Sequence, residues 1–192
     1  MHDNTTMRMP VFIFCLLCSL CLPAISRAAA DEPALQQALA VMKITAPQKI
    51  LSAPDFDLPG LKTGSIRLSD YKGRLVLLNF WASFCAPCRK EMPALESVWR
   101  DYAQQGLVVL ALSVDRDNLQ QVAKLVKEGG YSFPVLLDTE GEVRNRYEVR
   151  ALPTSYLIGR DGKFIGRIIG EREWDSPEGR VLIERLLSRQ PG

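Results

Sequence analysis

Leu75-Val76-Leu77-Leu78-Asn79-Phe80-Trp81-Ala82-Ser83-Phe84-Cys85-Ala86-Pro87-Cys88-Arg89-Lys90-Glu91-Met92-Pro93 joins a continuous apolar run to a Cys-x-x-Cys pair and then to a helical pattern. The run 75–80 suits a strand buried on both faces. From Cys88 onward Met92, Leu95, Val98, Trp99 and Tyr102 recur at three- and four-residue steps towards Gly106, so a helix starts at the cysteines. A thiolate at a helix start meets unpaired backbone N–H groups and the positive end of the helix dipole, which lowers its pKa below the ~8.5 of free cysteine. Cys85 is therefore expected to attack, and Cys88, one turn deeper, to resolve the mixed disulfide that results. An inert structural disulfide is the competing reading, but a bridge between residues three apart closes a very small loop and constrains the unfolded chain little.

Outward from this stretch, 107–114 reads as a second buried strand, and Leu119, Val122, Leu125 and Val126 as a helix closed by Gly129-Gly130. Residues 135–137 follow as a strand and 142–147 as a short helix; 155–158 and 164–169 flank the hairpin turn Arg160-Asp161-Gly162-Lys163; 181–187 supplies a closing helix. Such alternation of strands and helices indicates an α/β domain with parallel pairing. On the N-terminal side, 56–58 and 65–68 form a hairpin pattern around Gly60 and Gly64. Residues 31–50 carry Leu35, Ala38, Leu39 and Met42 at helical spacing before Pro47 and Pro54 interrupt it, an amphipathic lead-in helix.

The chain has 192 residues, 47% hydrophobic and 24% charged, enough for one globular domain and a short extra segment. Arg8, the apolar run 11–22, Pro23 and Ala28-Ala29-Ala30 make residues 1–30 a secretory signal peptide, followed by the lead-in helix in 31–52 and a domain over 53–192. An uncleaved anchor is the rival, though the apolar stretch 10–25 falls short of the ~20 residues a spanning helix needs. A lipoprotein reading of Cys15, Cys18 and Cys21 is weaker, because Leu17 and Leu20 precede the latter two where Gly, Ala or Ser is expected. Cleavage after Ala30 removes Arg8, Arg27 and Asp3 and leaves 22 basic and 21 acidic side chains, which gives no field for nucleic-acid binding. It also removes three of the five cysteines and the only histidine, His2. Two thiols without an imidazole cannot build a Cys/His zinc site, a Cys–His pair or a Ser–His pair, so thiol chemistry remains.

The Cys85 segment resembles the active site of thioredoxin-like proteins, and specifically the TlpA/ResA/CcmG branch of exported, membrane-associated reductases. Further marks are Ala53-Pro54-Asp55-Phe56, Leu68-Ser69-Asp70-Tyr71-Lys72-Gly73, Phe133-Pro134-Val135 and Leu152-Pro153-Thr154, so the resemblance covers roughly 53–187. It implies a thioredoxin-like fold: a central mixed sheet flanked by helices, with an N-terminal extension and an inserted helix-strand unit that 119–137 would supply. It implies no cofactor and no resident metal. It places Pro153 in a cis-proline loop facing the disulfide, where the backbone of Leu152 would pair with an extended client segment. It also gives Glu91, which shares a helical face with Cys88, a part in thiol protonation beside the two cysteines; the plain alternative is a solvated helix glutamate. Two positions depart from thioredoxin: Asn79 stands where it has a buried aspartate, and Phe84 where it has a tryptophan. Asn79 cannot shuttle protons, which leaves Glu91 as the nearby candidate, while Arg89 and Lys90 would favour the thiolate by charge. Trp81 and Phe84 are candidates for an apolar rim around Cys85, Phe84 the better one, since an aromatic beside a buried strand is at least as often plain core.

These residues point to an extracytoplasmic, periplasmic thiol-disulfide oxidoreductase that reduces exported thiol proteins, apocytochrome c among the client classes. Electrons would come from a membrane thiol reductase, and any membrane association would run through the N-terminus. A Cu(I) metallochaperone using the same two sulfurs is the alternative of a different class, but Sco-like sites resemble Cys-x-x-x-Cys with a distant histidine. A peroxidase of the peroxiredoxin type resembles Thr-x-x-Cys, and here Ala82 holds the threonine position. A disulfide oxidase resembling DsbA would carry histidine between the cysteines rather than Ala86-Pro87, and the direction of the couple is the question a reduction potential answers. The intact mass of the exported protein is expected to begin at Asp31; retention of Met1 or Cys21 would refute cleavage.

Overall fold

The structure is a computed structural model that describes residues 23–49 and 51–189, with side chains from Glu32 onward. The apolar run 11–22 and Cys15, Cys18 and Cys21 lie outside the described residues.

Helix α1 spans Pro23–Val41. Strands β1 (Asp57–Pro59) and β2 (Ser65–Arg67) form an antiparallel hairpin, followed by a 3₁₀ turn at Leu68–Tyr71. Then come β3 (Leu75–Trp81), α2 (Ala86–Tyr102), β4 (Leu107–Ser113), α3 (Leu119–Glu128), β5 (Val135–Leu137), α4 (Glu142–Arg146), β6 (Thr154–Ile158), β7 (Phe164–Ile169) and α5 (Pro177–Ser188). The main sheet has the order β5-β4-β3-β6-β7. Strands β3, β4 and β5 run parallel, while β6 pairs antiparallel with both β3 and β7, so the sheet is mixed as the resemblance implies. All seven residues of β3 and of β4 are buried, which is why neither shows polar alternation in sequence. The unit 119–137 supplies α3 and then β5, which extends the sheet beyond β4.

Both edges of the sheet are partly covered. At β5, Gly60 bridges Leu136 and the Leu61 N–H donates to the Val135 carbonyl. At β7, Thr45 and Arg167 exchange two backbone hydrogen bonds, and Ser52 bridges Lys163. This second cover explains where α1 ends. The lead-in helix expected in 31–52, whose helical spacing ends at Met42, stops at Val41, and Lys43 turns with φ 52°. The chain then extends along the edge of β7, where strand pairing outweighs local helical preference. Towards its N-terminal side α1 runs through the expected cleavage point after Ala30, in a stretch where alanine favours helix. Leu35, Leu39, Met42 and Ile44 are buried in the main core. Gly166 permits this seating, because a Cβ there would lie 2.3 Å from Ile44 Cγ2.

A second close approach holds α5. Trp174 is fully buried, and a Cβ on Gly179 would meet the Trp174 carbonyl oxygen at 2.3 Å. Gly179→Ala is expected to lower stability by about 1–3 kcal/mol, the usual cost of overpacking against backbone, measured by urea denaturation at constant m. An unchanged midpoint would show that α5 shifts freely.

Candidate active site

Cys85 and Cys88 are joined as a disulfide with their Cα atoms 5.3 Å apart. Cys85 is the N-cap residue of α2, and its sulfur accepts from the Cys88 N–H at 3.3 Å. Pro87 occupies the first helical turn, where its missing N–H costs nothing. Cys85 is 9% exposed and Cys88 1%, so the outer sulfur is the one at a helix N-terminus and the inner one is enclosed.

The turn before Cys85 is tied on three sides. Asp115 accepts from the Ser83 N–H at 2.8 Å and the Ser83 hydroxyl at 2.5 Å, and the Ser113 hydroxyl donates to it at 2.8 Å. The Arg89 guanidinium donates to the Ser83 carbonyl at 3.0 Å, and the Cys85 N–H to the Ala82 carbonyl at 3.1 Å. Sequence reasoning missed Asp115. Its signal was the polar pair Ser113 and Asp115 where a buried parallel strand ends, Ser113 lying in register with Trp81. Lys90 pairs with Glu171 at 2.6 Å on the surface. Of the two basic residues expected to act on the thiolate, Arg89 is thus the one bound to the Cys85 turn.

Trp81 does not belong to a rim. It is fully buried as the last residue of β3, a core residue in the strand, whereas Phe84 stands 73% exposed beside Cys85. The Leu152–Pro153 peptide is cis. Because Phe80 pairs with Thr154, Pro153 falls at the same end of the sheet as the Cys85 turn. Its carbonyl accepts from the Gly170 N–H at 2.8 Å, while among the described residues the backbone of Leu152 has no hydrogen-bond partner.

Glu91 is 2% exposed, which removes the solvated-surface reading. Trp174 Nε1 donates to Glu91 Oε1 at 2.7 Å and the Arg172 backbone N–H to the same oxygen at 3.1 Å. Asn79 Nδ2 donates to Oε2 at 3.0 Å and to the Ser155 hydroxyl at 2.9 Å. Asn79, no proton shuttle itself, is thus the link between β3, β6 and the carboxyl. Burial pushes the Glu91 carboxyl up to about 7, against the three hydrogen bonds and the nearby Arg172 charge, which pull it down. A carboxyl poised there takes and gives protons at neutral pH. Trp174 and Arg172 were invisible in the sequence, since nothing local ties them to Glu91.

The family description that matches residues 51–165 is AhpC/TSA. A ResA thiol-disulfide oxidoreductase from Bacillus thuringiensis (strain Al Hakam) is 39% identical over 127 residues, covering 66% of this chain and 73% of its own. ResA from Bacillus subtilis (strain 168) is 38% identical over 118 residues, 62% and 65% of the two chains. Among solved structures, a thiol:disulfide interchange protein DsbE from Chlorobium tepidum superposes with a TM-score of 0.68 at 36% identity, covering 73% of this chain and 99% of its own.

A buried carboxyl whose folded pKa lies near 7, above its ordinary 4.5, favours the fold fully below pH 4.5, and that contribution is lost as pH rises through 7. In the oxidised protein this amounts to on the order of 3 kcal/mol. Glu91→Gln is expected to flatten the fall in thermal stability between those pH values. Parallel curves for variant and parent would mean that Glu91 titrates normally.

Proposed function

This chain belongs to the AhpC/TSA family of thioredoxin-like proteins and is a relative of the ResA thiol-disulfide oxidoreductases, and from that premise we propose that it reduces disulfides in exported proteins. The observation that carries the mechanism is the division between the two sulfurs: one at the N-cap of α2 and marginally exposed, the other buried one turn in.

In the reduced enzyme the Cys85 thiolate attacks one sulfur of the client disulfide, and the second client sulfur leaves as a thiolate and takes a proton. Cys88 then loses its proton and attacks Cys85 Sγ. The bond to the client breaks, the client departs as a dithiol, and the Cys85–Cys88 disulfide is left holding the oxidation. Two electrons from a membrane thiol reductase restore the dithiol. Glu91, three residues beyond Cys88 on α2, is the group assigned to the Cys88 proton, supported by its burial and its position near neutrality.

Phe84, Leu152 and Pro153 are assigned to the client. The exposed Phe84 ring offers apolar contact, and the unengaged backbone of Leu152 suits pairing with an extended segment. Apocytochrome c is the client class that the resemblance suggests, and the location follows from the signal-like N-terminus: outside the cytoplasm. The direction of transfer rests on Ala86-Pro87. Without a charged histidine between the cysteines the Cys85 thiolate is less stabilised, and a less stabilised thiolate makes the dithiol a better donor. The helix terminus and Arg89 act the other way.

The couple is therefore expected near thioredoxin's ~−270 mV rather than DsbA's ~−120 mV, a gap equal to about 7 kcal/mol for two electrons. Equilibration against glutathione, followed by tryptophan fluorescence, measures it. A value close to DsbA's would make the protein an oxidase.

A further inference from the structure

Both donors to Glu91 Oε1 come from one segment, the backbone of Arg172 and the indole of Trp174. The side chain of Arg172 points its hydrogen bonds elsewhere. Its Nε donates to the Met42 carbonyl at 2.8 Å and its Nη2 to the Lys43 carbonyl at 3.3 Å, while Nη1 returns to the carbonyls of Gly170 at 3.3 Å and Glu171 at 2.7 Å. Met42 and Lys43 form the turn directly after α1, whose closing carbonyls on Ala38, Leu39 and Ala40 accept from the N–H groups of Met42, Ile44 and Lys43. One residue thus grips the end of α1 with its guanidinium and Glu91 with its backbone. Behind the gripped carbonyls, Leu35, Leu39, Met42 and Ile44 are buried in the core, and Thr45 goes on to pair with Arg167.

We propose that Arg172 is a positioning residue through which the docked segment 35–45 holds the donors of Glu91 in place, so that the seating of the N-terminal extension governs the proton-handling carboxyl of the active-site helix. The inference rests on the assignment of Glu91 to proton transfer made above, and goes beyond it by coupling that group to a segment outside the catalytic turn.

The fork geometry is what the coupling needs. Four carbonyl oxygens in two segments accept from one planar guanidinium, an arrangement a lysine ammonium with three donors on a flexible stem does not reproduce. Of the groups that face Glu91, Asn79 from β3 and Trp174 are neutral, the two cysteines of its own helix are joined as a disulfide, and Arg172 carries a charge. The open cavity of about 670 Å³ beside it is also lined by Lys43, Lys90, Glu171, Glu173, Asp175 and Glu178, with Lys90 and Glu171 paired to each other. Loosening the 170–174 segment withdraws donors that favour the carboxylate, and Glu91 then holds its proton to higher pH.

The test follows the Glu91 carboxyl carbon by NMR across a pH titration of the oxidised full chain, in the parent and in Arg172→Met, Arg172→Lys and Leu39→Ala. Arg172→Met loses both charge and fork, and its midpoint is expected to rise by about one pH unit. Arg172→Lys keeps the charge but loses the fork, and Leu39→Ala keeps Arg172 intact but weakens the seating of α1. Both are expected to move in the same direction by a smaller step. Parental midpoints in Arg172→Lys and Leu39→Ala, with Arg172→Met alone shifted, would reduce Arg172 to a local charge and overturn the proposal. Should Leu39→Ala fail to fold, Arg172→Lys decides alone. No client or reductant enters the measurement, so an oxidising potential would overturn the reductase assignment and leave this result standing, and the reverse also holds.

Discussion

Everything at the catalytic end depends on how β3 stops. The strand lies between β4 and β6 with every residue buried, so its direction and end point are set by the core. Four residues later Cys85 must cap α2, and the turn between has no freedom to wander: Asp115 holds Ser83 by backbone and side chain, and Arg89 holds its carbonyl. The Cys85 sulfur inherits its position from a strand register and the buried Asp115 side chain rather than from its own contacts. That is how a surface turn acquires the precision of a core element.

Glu91 presents the opposite balance. A carboxyl removed from water is a cost to the fold, and the molecule accepts that cost where three donors converge from β3 and the 170–174 segment. The donors satisfy the group without cancelling the effect of burial, which leaves it near neutrality instead of strongly acidic. A fully paired ion would be locked in one state. A carboxyl held between the two can exchange protons near neutral pH.

Much of the scaffold was legible because its signals are local. The unbroken apolar runs of β3 and β4 and the three-and-four spacing after Cys88 name their elements directly, and the Cys-x-x-Cys at their junction places the chemistry. What escaped was long-range. Trp174 reaches Glu91 across more than half of the described domain, and no periodicity marks an indole as a hydrogen-bond donor rather than a core filler. The end of α1 was misplaced for the same reason: Leu35, Leu39 and Met42 carry a helical stripe, but the edge of β7, which ends the helix by offering Thr45 a partner, lies far along the chain. Trp81, which the sequence left open between rim and core, belongs wholly to the core.

The cover over β7 bears on a matter apart from catalysis. Thr45, Leu51 and Ser52 occupy backbone groups along an outer strand that would otherwise offer its ladder to any extended polypeptide. An open outer strand is a template for pairing with any unfolded chain nearby, and so a route to aggregation. By laying Thr45, Leu51 and Ser52 along it, the protein occupies those backbone groups with its own chain and withholds them from strand addition by neighbours.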